Sequence, residues 1–229
     1  MTRRVPEFAL VTGVFLGLSA VVFGLVLGWG LLATVVLAAV GAYPFVAFGL
    51  LRDDDPADVI PPGWVLAVGV VWAALGVVGV LLGDPTLSGV TLAAFVGLLL
   101  ALPPTAYAVQ FGAGVNPLSG RQTLAAGLVV AASLLLVGLF SARTILGVAD
   151  AVIVAVATGL YATARGVRLD ARTKRYAAAI GGVLGVGLVA VGVLSGGALT
   201  DWVLVGMAVA FTPSLYVVLS RSRSASRNR

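Results

Sequence analysis

The 229-residue chain contains neither cysteine nor histidine. The absence of cysteine excludes disulfides, thiol catalysis and thiolate metal sites, and the absence of histidine removes the commonest transition-metal ligand and general base. Paired catalytic carboxylates, a phosphate-binding glycine loop and a nucleophile beside its base are also missing from the sequence. We therefore expect no cofactor and no metal site, and an enzyme is the least favoured class of function.

Charged side chains are scarce as well. They make up 10% of the residues, whereas 60% are apolar and the mean hydropathy is +1.13. A soluble domain needs a polar shell that this composition cannot supply. The charges separate apolar runs of about 20 residues, the length that spans a bilayer core, and an open chain crosses lipid only as helices. The composition predicts an all-α polytopic integral membrane protein in contact with the lipid bilayer.

Eight apolar runs are candidate membrane spans. They cover residues 8–27, 31–51, 64–82, 90–110, 123–140, 145–164, 176–194 and 202–220. We expect residues 1–220 to form one transmembrane domain. The Ser- and Arg-rich tail at residues 221–229 is expected to be disordered, because it has almost no apolar side chain to bury.

The basic residues predict an orientation, because Arg and Lys are enriched in cytoplasmic segments. With the N-terminus inside, 13 of the 14 basic residues fall in inner segments, and the one that remains outside is Arg143. This asymmetry predicts a multi-pass protein of the cell membrane with both termini in the cytoplasm. The basic residues form no stripe with interleaved aromatics, so we expect no nucleic-acid partner.

Two sequence landmarks recur at a period of about 55 residues, which is typical of repeat architectures. In odd-numbered spans a glycine is followed four residues later by a second small residue. In even-numbered spans a Pro or Thr lies three residues before a Tyr or Ala. The first landmark falls at Gly24, Gly79, Gly138 and Gly192, and the second at Pro44, Pro104, Thr158 and Pro213.

We interpret the period as four tandem helical hairpins at about residues 1–58, 59–118, 119–173 and 174–220. Each hairpin has two spans, so all four should point the same way in the membrane. Small residues four positions apart let helix backbones approach, so the glycine pairs are expected to be packing faces. The alternative is that a chain rich in Gly, Ala, Val and Leu resembles itself through composition alone.

Asp150 is the one ionisable residue that falls well inside a predicted span, and such residues are functional candidates by default. Two interpretations remain open. Asp150 could bind a proton or a cation within the bundle. Alternatively, it could lie near the outer surface, hydrated or paired with Arg143, which is seven residues earlier on the same helix face.

Six further positions are speculative site candidates because they are polar or interrupt a helix within a span. They are Pro44, Pro104, Thr105, Gln110, Thr158 and Pro213. Proline frees backbone carbonyls, and freed carbonyls can bind substrate in transporters, although proline is also common in membrane helices generally. Convergence of these residues with Asp150 on one cavity would favour a carrier.

A cluster of basic residues lies in the inner segment between the sixth and seventh spans. It consists of Arg165, Arg168, Arg172, Lys174 and Arg175. Such a cluster can hold anionic lipid headgroups, although topology alone already requires positive charge there.

Two classes of function are nearly balanced. A carrier or channel for a small solute or ion is weakly favoured, because repeated hairpins can enclose a path and broken helices could line it. The alternative is a non-catalytic membrane subunit or scaffold, because few polar residues lie in the spans and small-residue faces can pack against partner helices or a second copy.

Overall fold

The computed structural model describes residues 4–51, 60–112, 116–167, 171–195, 202–203 and 205–211. All regular secondary structure in these ranges is α-helical. The helices are α1 (Arg4–Val26), α2 (Leu31–Leu51), α3 (Pro62–Gly83), α4 (Leu87–Phe111), α5 (Gly120–Phe140), α6 (Thr144–Ala164) and α7 (Ala171–Ser195). Residues 202–203 and 205–211 are also helical.

The seven complete helices are each long and apolar enough to cross a membrane. The predicted all-α, multi-pass architecture is therefore confirmed. The eighth predicted span is helical at residues 202–203 and 205–211, while residues 212–220 and the tail at residues 221–229 lie outside the described residues.

Most helix starts were predicted too late, for example those of α3, α5 and α7. Helix α3 begins at Pro62, α5 at Gly120 and α7 at Ala171, whereas the apolar runs begin at residues 64, 123 and 176. The difference arises because hydropathy detects only the part of a helix that lies in hydrocarbon. Polar first turns at the headgroup level continue the same helix.

A capping box fixes the start of α5. The Ser119 hydroxyl accepts a hydrogen bond from the Gln122 backbone N–H at 3.3 Å. The Gln122 side-chain oxygen accepts one from the Ser119 backbone N–H at 3.0 Å. These bonds satisfy donors that a helix N-terminus leaves unpaired, so the helix begins at Gly120 rather than at the first apolar residue.

The chain forms two compact units, Met1–Val115 and Asn116–Arg229. In the first unit α1 pairs with α2, α3 pairs with α4, and α2 also packs against α3. In the second unit α5 pairs with α6, and α7 packs against the helical residues around Gly206 and Ala210.

Two long-range hydrogen bonds join α2 to its neighbours in the first unit. The Trp72 indole N–H of α3 donates to the Val35 carbonyl at 3.1 Å. The Tyr43 hydroxyl donates to the Leu100 carbonyl of α4 at 2.8 Å. Val35 and Leu100 also belong to the buried cluster of this unit, so polar and apolar contacts coincide.

In α1 and α5 the two small residues of the first landmark have different roles, which corrects the expectation of a shared packing face for these two helices. The first glycine makes the close contact: Gly24 faces Thr34, and Gly138 faces Gly147. The second residue ends the helix with a positive φ, at +68° for Gly28 and +57° for Ala142. A left-handed residue just beyond the last turn is a common helix terminator, and its small size reflects that conformation.

Large apolar side chains are exposed along α1 to α5 and along α7, whereas in α6 the exposed large apolar side chain is Ile145. On α1, for example, Phe8 is 73% exposed and Leu25 is 75% exposed. A water-soluble protein rarely leaves contiguous apolar surface of this extent uncovered. The lipid bilayer therefore covers these faces.

Candidate functional site

Asp150 lies inside helix α6 and is 0% exposed. It follows Thr144, the first residue of the helix, by six positions, which corresponds to about 9 Å along the axis at 1.5 Å per residue. Neither carboxylate oxygen has a hydrogen-bond partner within the described part of the chain. A buried carboxylate without a partner is costly in its charged form.

The burial of Asp150 and the absence of a partner for its oxygens among the described residues favour the first of the two interpretations. A hydrogen bond from Arg143, which the second interpretation allowed, is not seen, because neither Asp150 oxygen has a hydrogen-bond partner among the described residues. The side chain has no exposed surface, which favours a buried position over hydration from outside. Arg143 instead occupies the N-cap position of α6, where its carbonyl accepts a hydrogen bond from the Gly147 N–H at 3.1 Å.

The close pairing of α5 and α6 accounts for part of this burial. Near the turn, Gly138 and Gly147 bring the two backbones into contact, and near the other end Gly127 faces Thr158. A Cβ atom at Gly127 would lie 2.6 Å from the Thr158 Cβ. This register puts Leu135 of α5 level with Asp150.

Helix α7 packs on a different side of α6 from Asp150, because Val148 and Asp150 are two residues apart and so about 200° apart around the helix. Val148 of α6 packs with Leu188 of α7 and with Val205 in a buried cluster. Within the second unit, Asp150 therefore belongs to a helix, α6, whose contacts with α5 and α7 are mainly apolar.

The two threonine candidates already use their hydroxyl hydrogens within their own helices. The Thr158 hydroxyl donates to the Val154 carbonyl at 2.7 Å. The Thr105 hydroxyl donates to the Ala101 carbonyl at 2.7 Å. Such bonds to the preceding turn are the usual way in which a membrane helix satisfies a threonine.

Pro104 is buried and packs against Gly69 of α3. Because proline has no N–H, the Leu100 carbonyl four residues earlier loses its helical partner. The Tyr43 hydroxyl fills this vacancy with the hydrogen bond described above. The carbonyl that Pro104 frees is thus bound by the protein itself, and it is not left for a substrate.

The remaining candidates do not add polar groups to a common site. Pro44 of α2 and Gln110 of α4 are both exposed, and Pro213 lies outside the described residues. In the second unit Asp150 and Thr158 are eight residues apart on α6, about 12 Å along the axis.

An open groove of about 540 Å³ runs along α1. Its wall contains none of the predicted site residues. It is lined by Glu7, Leu10, Val11, Val14, Phe15, Leu18 and Ile60. The groove is apolar apart from Glu7, so it suits acyl chains or another helix better than a polar solute.

The structure describes the side chains of three of the five residues in the basic cluster: Arg165, Arg172 and Arg175. Arg165 caps the end of α6, and its Nε donates to the Tyr161 hydroxyl at 3.1 Å. Arg172 and Arg175 are exposed in the first turns of α7. Arg168 and the side chain of Lys174 lie outside what the structure describes.

Two features that position these elements were not predicted from the sequence. Tyr43 and Trp72 join separate hairpins, and sequence does not reveal which carbonyls they reach. The second feature is a set of glycines that face the even-numbered helices: Gly13 faces residues around Pro44, Gly69 faces Pro104, and Gly127 faces Thr158. Their spacing follows the period of the other landmarks, so this signal was available in the sequence.

No family model matches the chain, and no curated protein and no solved structure matches it either. Within the described ranges, no group of three or more acidic side chains is positioned to hold a metal ion.

Proposed function

We propose that this integral membrane protein is a carrier or channel for a small ion and that Asp150 is the group that handles the ion. The observation that carries the proposal is the complete burial of a carboxyl group whose oxygens have no partner in the described part of the chain. Ionisable groups within membrane spans are costly, and they mark ion or proton pathways by default.

The geometry favours an ion over a larger polar solute. Binding such a solute takes several polar groups directed at one place. The hydroxyls of Thr105 and Thr158 donate to their own helices, and the carbonyl freed by Pro104 accepts from Tyr43. Asp150 is the buried candidate whose hydrogen-bonding capacity is not used within the described residues.

The experiment is ion flux into proteoliposomes that contain the purified protein, driven by a pH gradient and measured with a trapped pH-sensitive dye. We expect Asp150→Asn to reduce the flux to the level of empty vesicles, because the amide keeps the size of the side chain but cannot ionise. Glu7→Gln is the matched control, since Glu7 is an exposed carboxylate in the first turn of α1. Flux that persists in Asp150→Asn contradicts the proposal.

A second candidate function is a non-catalytic subunit that packs against partner helices. The apolar groove along α1 favours this role, because its wall offers long side chains and little polarity. Mild purification from native membranes tests it. A stoichiometric membrane partner that is lost when Val14 and Leu18 are replaced by alanine supports a subunit, and a homogeneous protein that transports ions by itself contradicts it.

We further propose four tandem hairpins in the cell membrane, with both termini in the cytoplasm. The glycine contacts support the repeat, since Gly13, Gly69 and Gly127 each face the even-numbered helix of their own hairpin near the second landmark. In this orientation Arg165, Arg172 and Arg175 lie at the cytoplasmic surface, where anionic lipid headgroups would bind them together with Arg168 and Lys174.

A further inference from the structure

We propose that the ion bound at Asp150 is a proton, held on one carboxyl oxygen, and not a dehydrated metal cation. This inference rests on the proposed function, because it names the ligand of the same site. It is drawn from the complete burial of the side chain, the unused hydrogen-bonding capacity of both its oxygens, and the chemistry of the helix faces around it.

A metal cation that leaves water needs several oxygen ligands at once. Calcium takes about six to eight, and alkali cations in selective pores are surrounded by carbonyl oxygens. A proton needs only one oxygen, because it forms a covalent O–H bond. The number of oxygen atoms near Asp150 therefore distinguishes the two kinds of ligand.

The neighbouring turns of α6 offer no such ligands. The residues one turn away from Asp150 are Leu146, Gly147, Ile153 and Val154, which have no polar side-chain atom. Their carbonyls lie within a helix whose hydrogen bonds run from each N–H to the carbonyl four residues back. The nearest hydroxyl further along the helix is that of Thr158, about 12 Å away along the axis.

The packed neighbours in the second unit are equally poor in oxygen. From residue 124 to residue 140 of α5, the one polar side chain is Ser133, which is exposed and donates to the Val129 carbonyl at 3.0 Å. Residues 177–194 of α7 contain no polar side chain at all. Within the described parts of α5 and α7, these stretches therefore offer almost no side-chain oxygen for a metal shell.

The charged and titratable groups of these elements lie at the helix ends. Arg143 and Arg165 flank α6, Tyr161 lies one turn before its end, and Arg121 is in the first turn of α5. Those of α7 are Arg172, Lys174, Arg175 and Tyr176, all within its first six residues. Leu188, which packs with Val148, is about 18 Å further along α7 than Tyr176. No described cation in this unit donates to Asp150, which favours a neutral, protonated carboxyl in the resting state.

Dicyclohexylcarbodiimide, an apolar reagent, tests this assignment in the intact protein in proteoliposomes. The reagent adds to a protonated carboxyl group: the acid proton moves to a nitrogen and the carboxyl oxygen bonds to the central carbon. The adduct rearranges to a stable N-acylurea without losing any atom, and mass spectrometry locates it.

We expect one adduct at Asp150 and none at the exposed Glu7. Sodium, lithium or potassium chloride should leave the labelling rate equal to that in choline chloride of the same ionic strength, and labelling should decline as the pH rises. Protection by a metal cation but not by choline overturns the proposal, and so does a complete absence of labelling at Asp150 at every pH.

Two variants keep the result interpretable. Asp150→Asn must lose the adduct, whereas Asp150→Glu must regain it at the new carboxyl; an adduct elsewhere in either variant overturns the assignment. Failure of the proposed function is recognised separately. If metals do not affect the labelling and the protein shows no ion flux, the proton site stands and the transport function is contradicted. If a metal cation protects Asp150 and the protein shows ion flux, the transport function stands and the proton site is contradicted.

Discussion

At the scale of single residues, one rule explains nearly every described polar side chain in the spans. Hydroxyl groups donate to a carbonyl one turn back, as Thr34 does to Gly30 and Thr163 does to Gly159. A carboxylate has no hydrogen to donate, and the N–H groups of a helix interior are already used. In its ionised form Asp150 is therefore unable to form the hydrogen bond that satisfies the threonines, and only protonation would give it a hydrogen to donate.

Tyr43 supplies the hydrogen bond that Pro104 removes from α4, so we expect Tyr43→Phe to destabilise the protein. The Leu100 carbonyl would be buried without a partner, at a cost of about 1–3 kcal/mol. Thermal unfolding in detergent, followed by tryptophan fluorescence, measures the change. Tyr176→Phe is the control, because Tyr176 is 63% exposed on α7.

A double-mutant cycle isolates this interaction. Pro104→Ala restores an N–H four residues after Leu100, so Tyr43→Phe should be less harmful in that background. Equal losses in both backgrounds would show that Tyr43 does not compensate for the proline.

Ala142 ends α5 with φ +57°, a conformation that costs a non-glycine residue about 1–2 kcal/mol. We expect Ala142→Gly to raise the unfolding free energy by up to about 1 kcal/mol. Ala125→Gly, at an exposed position inside α5, should lower it by a similar amount, because glycine weakens a helix interior. Changes of the same sign in both variants would contradict the assigned conformation.

At the scale of helices and hairpins, glycines mark where two backbones approach. Each described hairpin has a close contact of this kind, in which a glycine of the first helix faces a bulkier side chain of the second, such as Thr34, Pro104 or Thr158. In lipid, where apolar surface gains little from burial, such shape matching is the main source of helix association. Repeated spacing in the sequence thus reflects repeated packing requirements.

Gly127→Ala should separate α5 from α6, because the added Cβ atom meets the branched Thr158 side chain. Overpacking of this kind typically costs about 1–3 kcal/mol, which thermal unfolding detects. Gly182→Ala is the matched control, since nothing lies within 4 Å of the added atom, and it should be neutral or mildly stabilising. Adding Thr158→Ala should rescue Gly127→Ala; without rescue, Thr158 is not the obstacle.

At the scale of the whole molecule, the chain forms two compact units, and each contains apolar helices of membrane-spanning length. The distribution of basic residues gives this domain a predicted orientation, with 13 of 14 on one side. Because cytoplasmic loops retain Arg and Lys, the N-terminus, the loop around Asp170 and the C-terminal tail should lie inside.

Single engineered cysteines test the orientation. The chain has no cysteine of its own, so no native thiol of this protein reacts with the label. In intact cells a membrane-impermeant maleimide should label Gly197→Cys, whereas Asp170→Cys and Ser224→Cys should react only after the membrane is opened. External labelling of Asp170→Cys would invert the predicted topology or change the number of spans that precede it.

The sequence by itself determined that this protein lies in a lipid bilayer and roughly where its spans are. Apolar runs of bilayer length have no other stable arrangement than membrane-spanning helices. It also identified Asp150 as a candidate, since charge within a span is conspicuous. It did not reveal that Gly28 and Ala142 end helices while Gly24 and Gly138 pack, because small size serves both purposes.

Only the tertiary structure decided which polar groups remain unsatisfied. Tyr43 and Leu100 are 57 residues apart, so no local pattern shows that the carbonyl freed by Pro104 is occupied. Likewise, an aspartate six residues into a helix is either hydrated or buried depending on what packs around it. Its complete burial without a partner in the described part of the chain follows from the packing of other segments against α6, and that packing depends on the three-dimensional shape of side chains far apart in sequence.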